Sequence, residues 1–251
     1  MIGTGYVGLV SGACFSDLGN IVICVDTDKE KINNLNNGSI PIYEPGLEEL
    51  VLKNKKYNRL YFSTDINNSI KKSDIIFICV GTPTKNKKAD LKYVFKAINN
   101  VKKNLNRYKI IVTKSTVPVT TGDKIEKFLN SKKNKNKFNV VSNPEFLREG
   151  EAIRDFLYPD RVVVGTDSKK ANNLMRNLYM PIIKKKSRYF QTSRRAAELI
   201  KYASNAFLAT KISYINEIAN LCEKSDIDIK EVSSGIGLDQ RIGERFLRAG
   251  P

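Results

Sequence analysis

The sequence predicts an α/β fold, a doubly wound parallel sheet followed by a long helix and a helical dimerisation layer. Three observations predict it. Short β-branched apolar runs alternate with amphipathic stretches through the first three quarters of the chain. A G-x-G-x-x-G run stands at its start, and from Arg194 to Lys224 a helical period continues without glycine or proline.

The runs Ile21–Val25, Asp74–Val80, Lys109–Thr113, Phe138–Ser142 and Arg161–Gly165 are brief and apolar on both faces, as strands of a parallel sheet covered on both sides are. Helical patterns lie around and between them: Tyr6–Leu18, Lys29–Asn36, Leu47–Lys53, Leu91–Leu105, Thr121–Leu129 and Lys170–Leu178. In such a sheet, ligands bind outside the carboxyl ends of the strands, so motifs that follow strands carry the functional expectation.

The Arg194–Lys224 stretch places Ala197, Ile200, Ala203, Phe207, Ala209, Ile212, Ile215 and Leu221 at helical spacing. A helix of that length is unusual in a sheet domain. It is expected to open a separate helical layer and to suit an interface with a second copy; the alternative is a long core helix of a monomer. The expected division is residues 1–192 as a nucleotide-binding domain and residues 193–251 as the helical region.

Composition bounds the partners. With a hydrophobic fraction of 41%, the 251 residues can bury a sizeable core. The weakly charged stretch Met1–Ser16 is too short and glycine-rich to span a bilayer and lacks a basic leader, so a cytoplasmic protein is expected. Cys14, Cys24, Cys79 and Cys222 are scattered through apolar segments without CxxC spacing, which indicates reduced buried thiols and neither a zinc site nor a disulfide framework. The 43 Lys and Arg against 26 Asp and Glu give a net charge of +17. The excess sits in lysine and asparagine mixtures such as Asn130–Lys137, with no aromatic-interleaved basic platform, so solvated faces and anionic small molecules are expected in place of nucleic acid.

Gly3, Gly5 and Gly8 have separate tasks in a Rossmann-type glycine loop: a tight turn, close approach of a pyrophosphate to the backbone, and close packing of helix on strand. The next strand ends at Val25-Asp26, where a carboxylate accepts from a ribose 2′-hydroxyl and repels a 2′-phosphate, so NAD is expected over NADP. Only Met1 and Ile2 precede the loop, fewer than a central strand usually has.

Gly81–Thr84 and Ser115–Val119 follow strands directly and bring hydroxyls and a proline-fixed turn to the ligand edge. Asn143–Gly150 follows another strand; if it enters a helix, Glu145 and Glu149 share a face. Lys201 and Asn205, likewise spaced on the long helix, can both address an oxygen that becomes negative during reaction.

With GTGYVGLV, Tyr43–Leu47, VGTPT, STVPV, NPEFLREG, Asp160-Arg161, Lys201–Phe207 and Gly237–Gly243 in order, the chain closely resembles the UDP-glucose/GDP-mannose dehydrogenase family, and in particular its bacterial UDP-glucose-oxidising members. The resemblance implies an NAD-dependent, four-electron oxidation of the C6 alcohol of UDP-glucose to UDP-glucuronate, in which a cysteine captures the intermediate aldehyde as a thiohemiacetal. It implies cofactor contacts from Gly3, Gly5, Tyr6, Val7, Gly8, Asp26, Lys31, Gly81, Thr82, Pro83, Thr84, Thr116 and Glu149. Sugar contacts fall to Glu145, Phe146, Leu147, Lys201, Asn205 and Arg241, the last reaching a neighbouring subunit's site. Thr116, Glu145 and Glu149 are implied to hold or activate water, the general-base role being undivided between the glutamates, and Lys201 and Asn205 to stabilise the alkoxide.

In that family the nucleophile lies in a glycine-rich segment directly after a sequence like Phe246–Pro251, where this chain stops. The expectation is therefore a truncated UDP-glucose 6-dehydrogenase-type chain, without the C-terminal sugar-binding domain and inactive alone. The alternatives are a dehydrogenase of another nucleotide sugar, such as GDP-mannose or UDP-N-acetylmannosamine, or a non-catalytic remnant that binds NAD or dimerises.

Overall fold

The computed structural model describes residues 1–130, 132, 134, 137–183 and 188–250. Part of the lysine- and asparagine-rich run, residues 131, 133, 135 and 136, lies outside the described residues, as does Pro251 of the final segment. The chain forms two compact units, Met1–Leu199 and Ile200–Pro251.

The strands are β1 (Val22–Val25), β2 (Leu60–Ser63), β3 (Ile75–Ile78), β4 (Thr84–Lys85), β5 (Lys88–Ala89), β6 (Lys109–Thr113), β7 (Phe138–Ser142), β8 (Arg161–Gly165) and β9 (Arg188–Thr192). The helices are α1 (Tyr6–Asp17), α2 (Lys29–Asn36), α3 (Leu47–Lys56), α4 (Ile66–Lys72), α5 (Lys92–Asn104), α6 (Thr121–Leu129), α7 (Ala152–Leu157), α8 (Lys169–Ile183), α9 (Arg194–Lys224) and α10 (Ile229–Gly237).

In the first unit β1 pairs with β2, while β3, β6, β7, β8 and β9 follow one another as a second run of strands. Ile2 joins the two runs through parallel bridges to Val25 and Ile78. The short start of the chain thus acts as the central strand. Ile2 donates to Phe77 O and accepts from Cys79 N, both at 2.8 Å, while Met1 O accepts from Val25 N at 2.8 Å. Below Met1 the flanking strands continue around a cavity of about 880 Å³ whose lining includes Val22, Ile23, Ile75 and Phe77.

The pairs of this sheet are parallel except at β7–β8, which meet antiparallel at the single pair Ser142–Gly165. The expected all-parallel sheet is corrected there. The chain leaves β7 through the Asn143–Glu151 loop and α7, and Asn143 at the end of β7 is tied directly to β8 through Val163 O. β8 runs back alongside β7.

Side chains alternate across the sheet. Ile110, Val112 and Val141 point into a core with α1, α2, α3, α7 and α8, whereas Ile111 and Val140 point into one with α4, α5 and α6. Two covered faces account for the continuous apolar runs in the sequence.

A second correction concerns Asn143–Gly150. The segment is an irregular loop and the helix after it begins only at Ala152, so Glu145 and Glu149 do not share a helical face. Asn143 is held by Val163 O, which accepts from its Nδ2 at 2.7 Å, and Pro144 restrains the residue before it from the helical region. In the second unit α10 is capped by Asp228, whose carboxylate accepts from Lys230 N at 2.9 Å. Lys211 donates to Ile242 O at 2.9 Å, and Asn216 exchanges two hydrogen bonds with Gly250.

Candidate active site

The three glycines have distinct surroundings. Gly3 has φ +101°, and a Cβ there would come 2.6 Å from Cys79 O, so only glycine makes this turn. Gly8 has its would-be Cβ 2.0 Å from Gly3 O, which fixes α1 tightly against the loop. Gly5 is exposed with nothing within 4 Å of a would-be Cβ. The loop is thus closed on its protein side and open at Gly5. Tyr6, Val7 and Gly8 open α1, where the first N–H groups have no intrahelical acceptor and suit a pyrophosphate.

Asp26 stands immediately after β1. One of its oxygens accepts from Thr4 N at 2.9 Å and from the Thr4 hydroxyl at 2.7 Å; the other accepts from Asp28 N at 3.2 Å. Lys31 lies 3.7 Å away. Partial burial pulls the carboxyl upward, but the hydrogen bonds from Thr4 and Asp28 and the charge of Lys31 outweigh it and hold Asp26 below the usual carboxylate range. Asp26 is therefore an oriented anion at neutral pH. It borders a cavity of about 350 Å³, lined also by Gly3, Gly5, Lys31 and Gly81 and, from α5, Tyr93 and Lys96.

The next strand ends come together by hydrogen bonds. Thr82 donates its hydroxyl to Thr116 O at 2.8 Å, and Ser115 donates to Val80 O at 2.6 Å. This fastens Gly81–Thr84 to Ser115–Thr116. Thr82 and Thr116 are half-buried; Gly81, Pro83 and Thr84 are exposed, and Thr84 begins the β4–β5 hairpin.

In the Asn143–Gly150 loop, Glu145 accepts from Leu147 N at 2.6 Å, and the Arg161 guanidinium lies 4.1 Å over the Phe146 ring. Glu145, Phe146 and Leu147 are half-buried, and Glu149 is exposed. Beneath them Lys114 is buried, 3.4 Å from the Tyr179 hydroxyl, which donates to Asn143 Oδ1 at 2.6 Å. Burial pushes the Lys114 ammonium down, and the charge of Glu145 opposes this. The chain holds no histidine, so carboxylates are the natural general bases at this edge.

Lys201, Asn205 and Arg241 belong to the second unit. Lys201 is buried and Asn205 exposed, one turn apart on α9. Arg241 is exposed in the turn after α10 and pairs with Asp239 at 2.7 Å.

All four cysteines are buried. Burial pushes the Cys14 thiol up, Cys24 to about 11 and Cys79 to about 12. Such thiols are poor nucleophiles near neutral pH. Among the described residues, no group of three His, Cys, Asp or Glu is placed to hold a metal ion.

Sequence reasoning missed several contributors. Thr4, between the first two glycines, sets Asp26; Tyr93 and Lys96 complete the cavity from α5; and Glu44 is buried against Tyr6 and Gly150. Thr4 and Glu44 both stood in quoted motifs, but their partners lie far away in the sequence.

A glycine loop closed by Gly3 and Gly8, an oriented carboxylate after the next strand and hydroxyl-bearing strand ends define a dinucleotide-binding dehydrogenase domain. Residues 1–183 match the model of the UDP-glucose/GDP-mannose dehydrogenase family, NAD binding domain, and residues 195–251 match that family's central domain. The chain belongs to the UDP-glucose/GDP-mannose dehydrogenase family.

It is 51% identical over 255 aligned residues to UDP-glucose 6-dehydrogenase of Rhizobium meliloti (strain 1021), covering 100% of this chain and 58% of that one. It is 52% identical to UDP-glucose 6-dehydrogenase TuaD of Bacillus subtilis (strain 168), covering 100% and 54%. A solved UDP-glucose dehydrogenase from the archaeon Pyrobaculum islandicum superposes with TM-score 0.95 at 38% identity, over 99% of this chain and 58% of that one. A GDP-mannose dehydrogenase from Pseudomonas aeruginosa gives TM-score 0.92 at 33% identity, over 99% and 59%. The chain spans a little over half the length of these relatives.

Proposed function

We propose that this chain binds NAD and supplies the dinucleotide side of an enzyme that oxidises the C6 hydroxyl of UDP-glucose to the carboxylate of UDP-glucuronate. The observation that carries the reading is Asp26, held ionised by Thr4 and Asp28 at the mouth of the glycine-loop cavity, in a chain about half identical to proteins named UDP-glucose 6-dehydrogenase. NAD, when bound, supplies hydride acceptance.

The chain's own residues would do the rest. Gly5 and the first N–H groups of α1 receive a pyrophosphate, Asp26 a ribose diol, and Gly81–Thr84 with Thr116 border the reacting end. Glu145 and Glu149 are the carboxylates available to take a proton or hold water. Lys201 and Asn205 are assigned to the oxygen that becomes negative, and Arg241 to the sugar site of a second copy. Residues 1–192 form the NAD domain in this reading and residues 193–251 the dimerisation region. Phe207, Tyr214 and Leu221, on α9, are 66%, 53% and 59% exposed, which favours a homodimer. Among the described residues, no helix is long and apolar enough to cross a membrane, and reduced buried thiols suit the cytoplasm.

A covalent thiohemiacetal needs an accessible thiolate, and none of the four cysteines here is one. By itself, then, this 251-residue chain binds without completing the oxidation. The test is calorimetric titration with NAD, then UDP-glucose and GDP-mannose, with NADH absorbance followed in parallel. NAD binding, preference for UDP-glucose and no NADH are expected. Two NADH per UDP-glucose would refute the inactivity, a preference for GDP-mannose would reassign the substrate, and absence of NAD binding would overturn the reading.

A further inference from the structure

Glu44 has no role in the reading above, yet it is only 6% exposed. Its Oε2 accepts from the Tyr6 hydroxyl at 2.7 Å and from Gly150 N at 2.9 Å; its Oε1 accepts from Ala152 N at 2.8 Å and from Ile153 N at 3.4 Å. The Tyr6 hydroxyl also lies 2.9 Å from Arg148 O. One buried carboxylate therefore ties the residue after Gly5 to the backbone on both sides of the turn that follows Glu149. The residue preceding α7, Glu151, makes no side-chain cap, so Glu44 supplies those N–H groups with their acceptor.

We propose that Glu44 is a positioning residue that couples occupancy of the glycine loop to the turn carrying Glu149. The proposal rests on reading Gly3–Gly8 as the dinucleotide loop. Tyr6 opens α1 beside Gly5, so an opening that withdraws Tyr6 strips a buried carboxylate of a donor, which is costly. A ligand that clamps the loop backbone makes that opening rarer, and the amides of Gly150, Ala152 and Ile153 then keep their acceptor more of the time. By linkage, loss of the Glu44 contacts weakens the ligand in return.

The test is hydrogen exchange at the amides of Gly150, Ala152 and Ile153 in the 251-residue chain, without NAD and with NAD at about one hundred times each variant's own Kd. Where the opening is shared, slowing can approach about a hundredfold at that concentration, and about tenfold or more is expected in the wild type. Tyr6→Phe removes the hydroxyl but leaves the three amides their acceptor; its slowing is expected to fall below about twofold. Glu44→Gln is expected to exchange faster at all three amides without NAD and to bind NAD more weakly. A carboxylate that only caps α7 would leave Tyr6→Phe responding like the wild type, and that result overturns the coupling. NAD binding to the wild type with no slowing overturns it as well. If the wild type shows no heat of NAD binding, the dinucleotide reading falls and this proposal with it.

Discussion

At Asp26 a single carboxylate fastens the glycine loop and, in the proposed reading, receives the ribose of the cofactor. Asp26→Asn keeps the shape but removes the charge and one acceptor, at a cost of about 1.5–3 kcal/mol for a hydrogen bond to a charged group. A loss of NAD affinity of roughly ten- to a hundredfold is expected by calorimetry. Because its folded pKa is depressed, Asp26 contributes stability that is present above the ordinary carboxylate pKa and is lost as pH falls through the folded value. At Gly8 the expected effect is structural. A Cβ 2.0 Å from Gly3 O forces the loop apart. Gly8→Ala should cost roughly 3 kcal/mol and lower Tm by about 6–12 °C; an unchanged melting curve would contradict the packing described. These glycines were legible because their constraint is local, a turn followed at once by a helix. Thr4 and Glu44 were not, because a hydrogen bond across the fold leaves no periodic trace in the sequence.

At the scale of elements, the start of α9 is fastened to the sheet domain by buried charge. Glu198 accepts from Thr120 N and Gly122 N, both at 2.7 Å, and so caps α6. Arg194 pairs with Asp123 and Glu126 on the same helix. A Cβ on Gly165 would meet Ala197 at 2.6 Å, so helix and strand touch directly. Burial raises the Glu198 pKa despite its three hydrogen bonds. The folded state therefore binds a proton more readily than the unfolded chain, and this contribution to stability is full below the unfolded pKa and is lost as pH rises through the folded one. Glu198→Gln should flatten that part of the pH–stability curve and, by misplacing a donor against an N–H, cost about 1–3 kcal/mol at neutral pH. Denaturant midpoints measured across pH for both proteins test the two effects together.

The interior strands β6, β7 and β8 were readable to the residue because both faces are apolar. β2 and β9, at the two ends of the strand order, went unseen. Tyr61 is 44% and Phe190 51% exposed there, and half-wet edge strands lack a continuous apolar run. The short α4 and α7 escaped for want of periodicity. The expected Glu145–Glu149 helix failed because the segment's polar groups bond locally, as in Glu145 to Leu147 N, in place of a helical ladder.

For the whole molecule, a dinucleotide-binding domain forms the first unit, and a helical second unit carries Lys201, Asn205 and Arg241. The apolar side chains exposed on α9 predict self-association. Sedimentation should report a dimer, and Phe207→Glu should shift it toward monomer without altering NAD binding by the first unit. The large positive charge adds a general attraction for anions that salt weakens, whereas the proposed recognition through Asp26 would distinguish two anionic dinucleotides that differ by one phosphate. Calorimetric titration of the 251-residue chain with NAD and with NADP at one ionic strength tests this most directly. Saturable one-site binding of NAD, with NADP at least about tenfold weaker because its 2′-phosphate meets the Asp26 carboxylate, is the predicted result. Equal affinity for the two, or tighter binding of the more highly charged NADP, would contradict it.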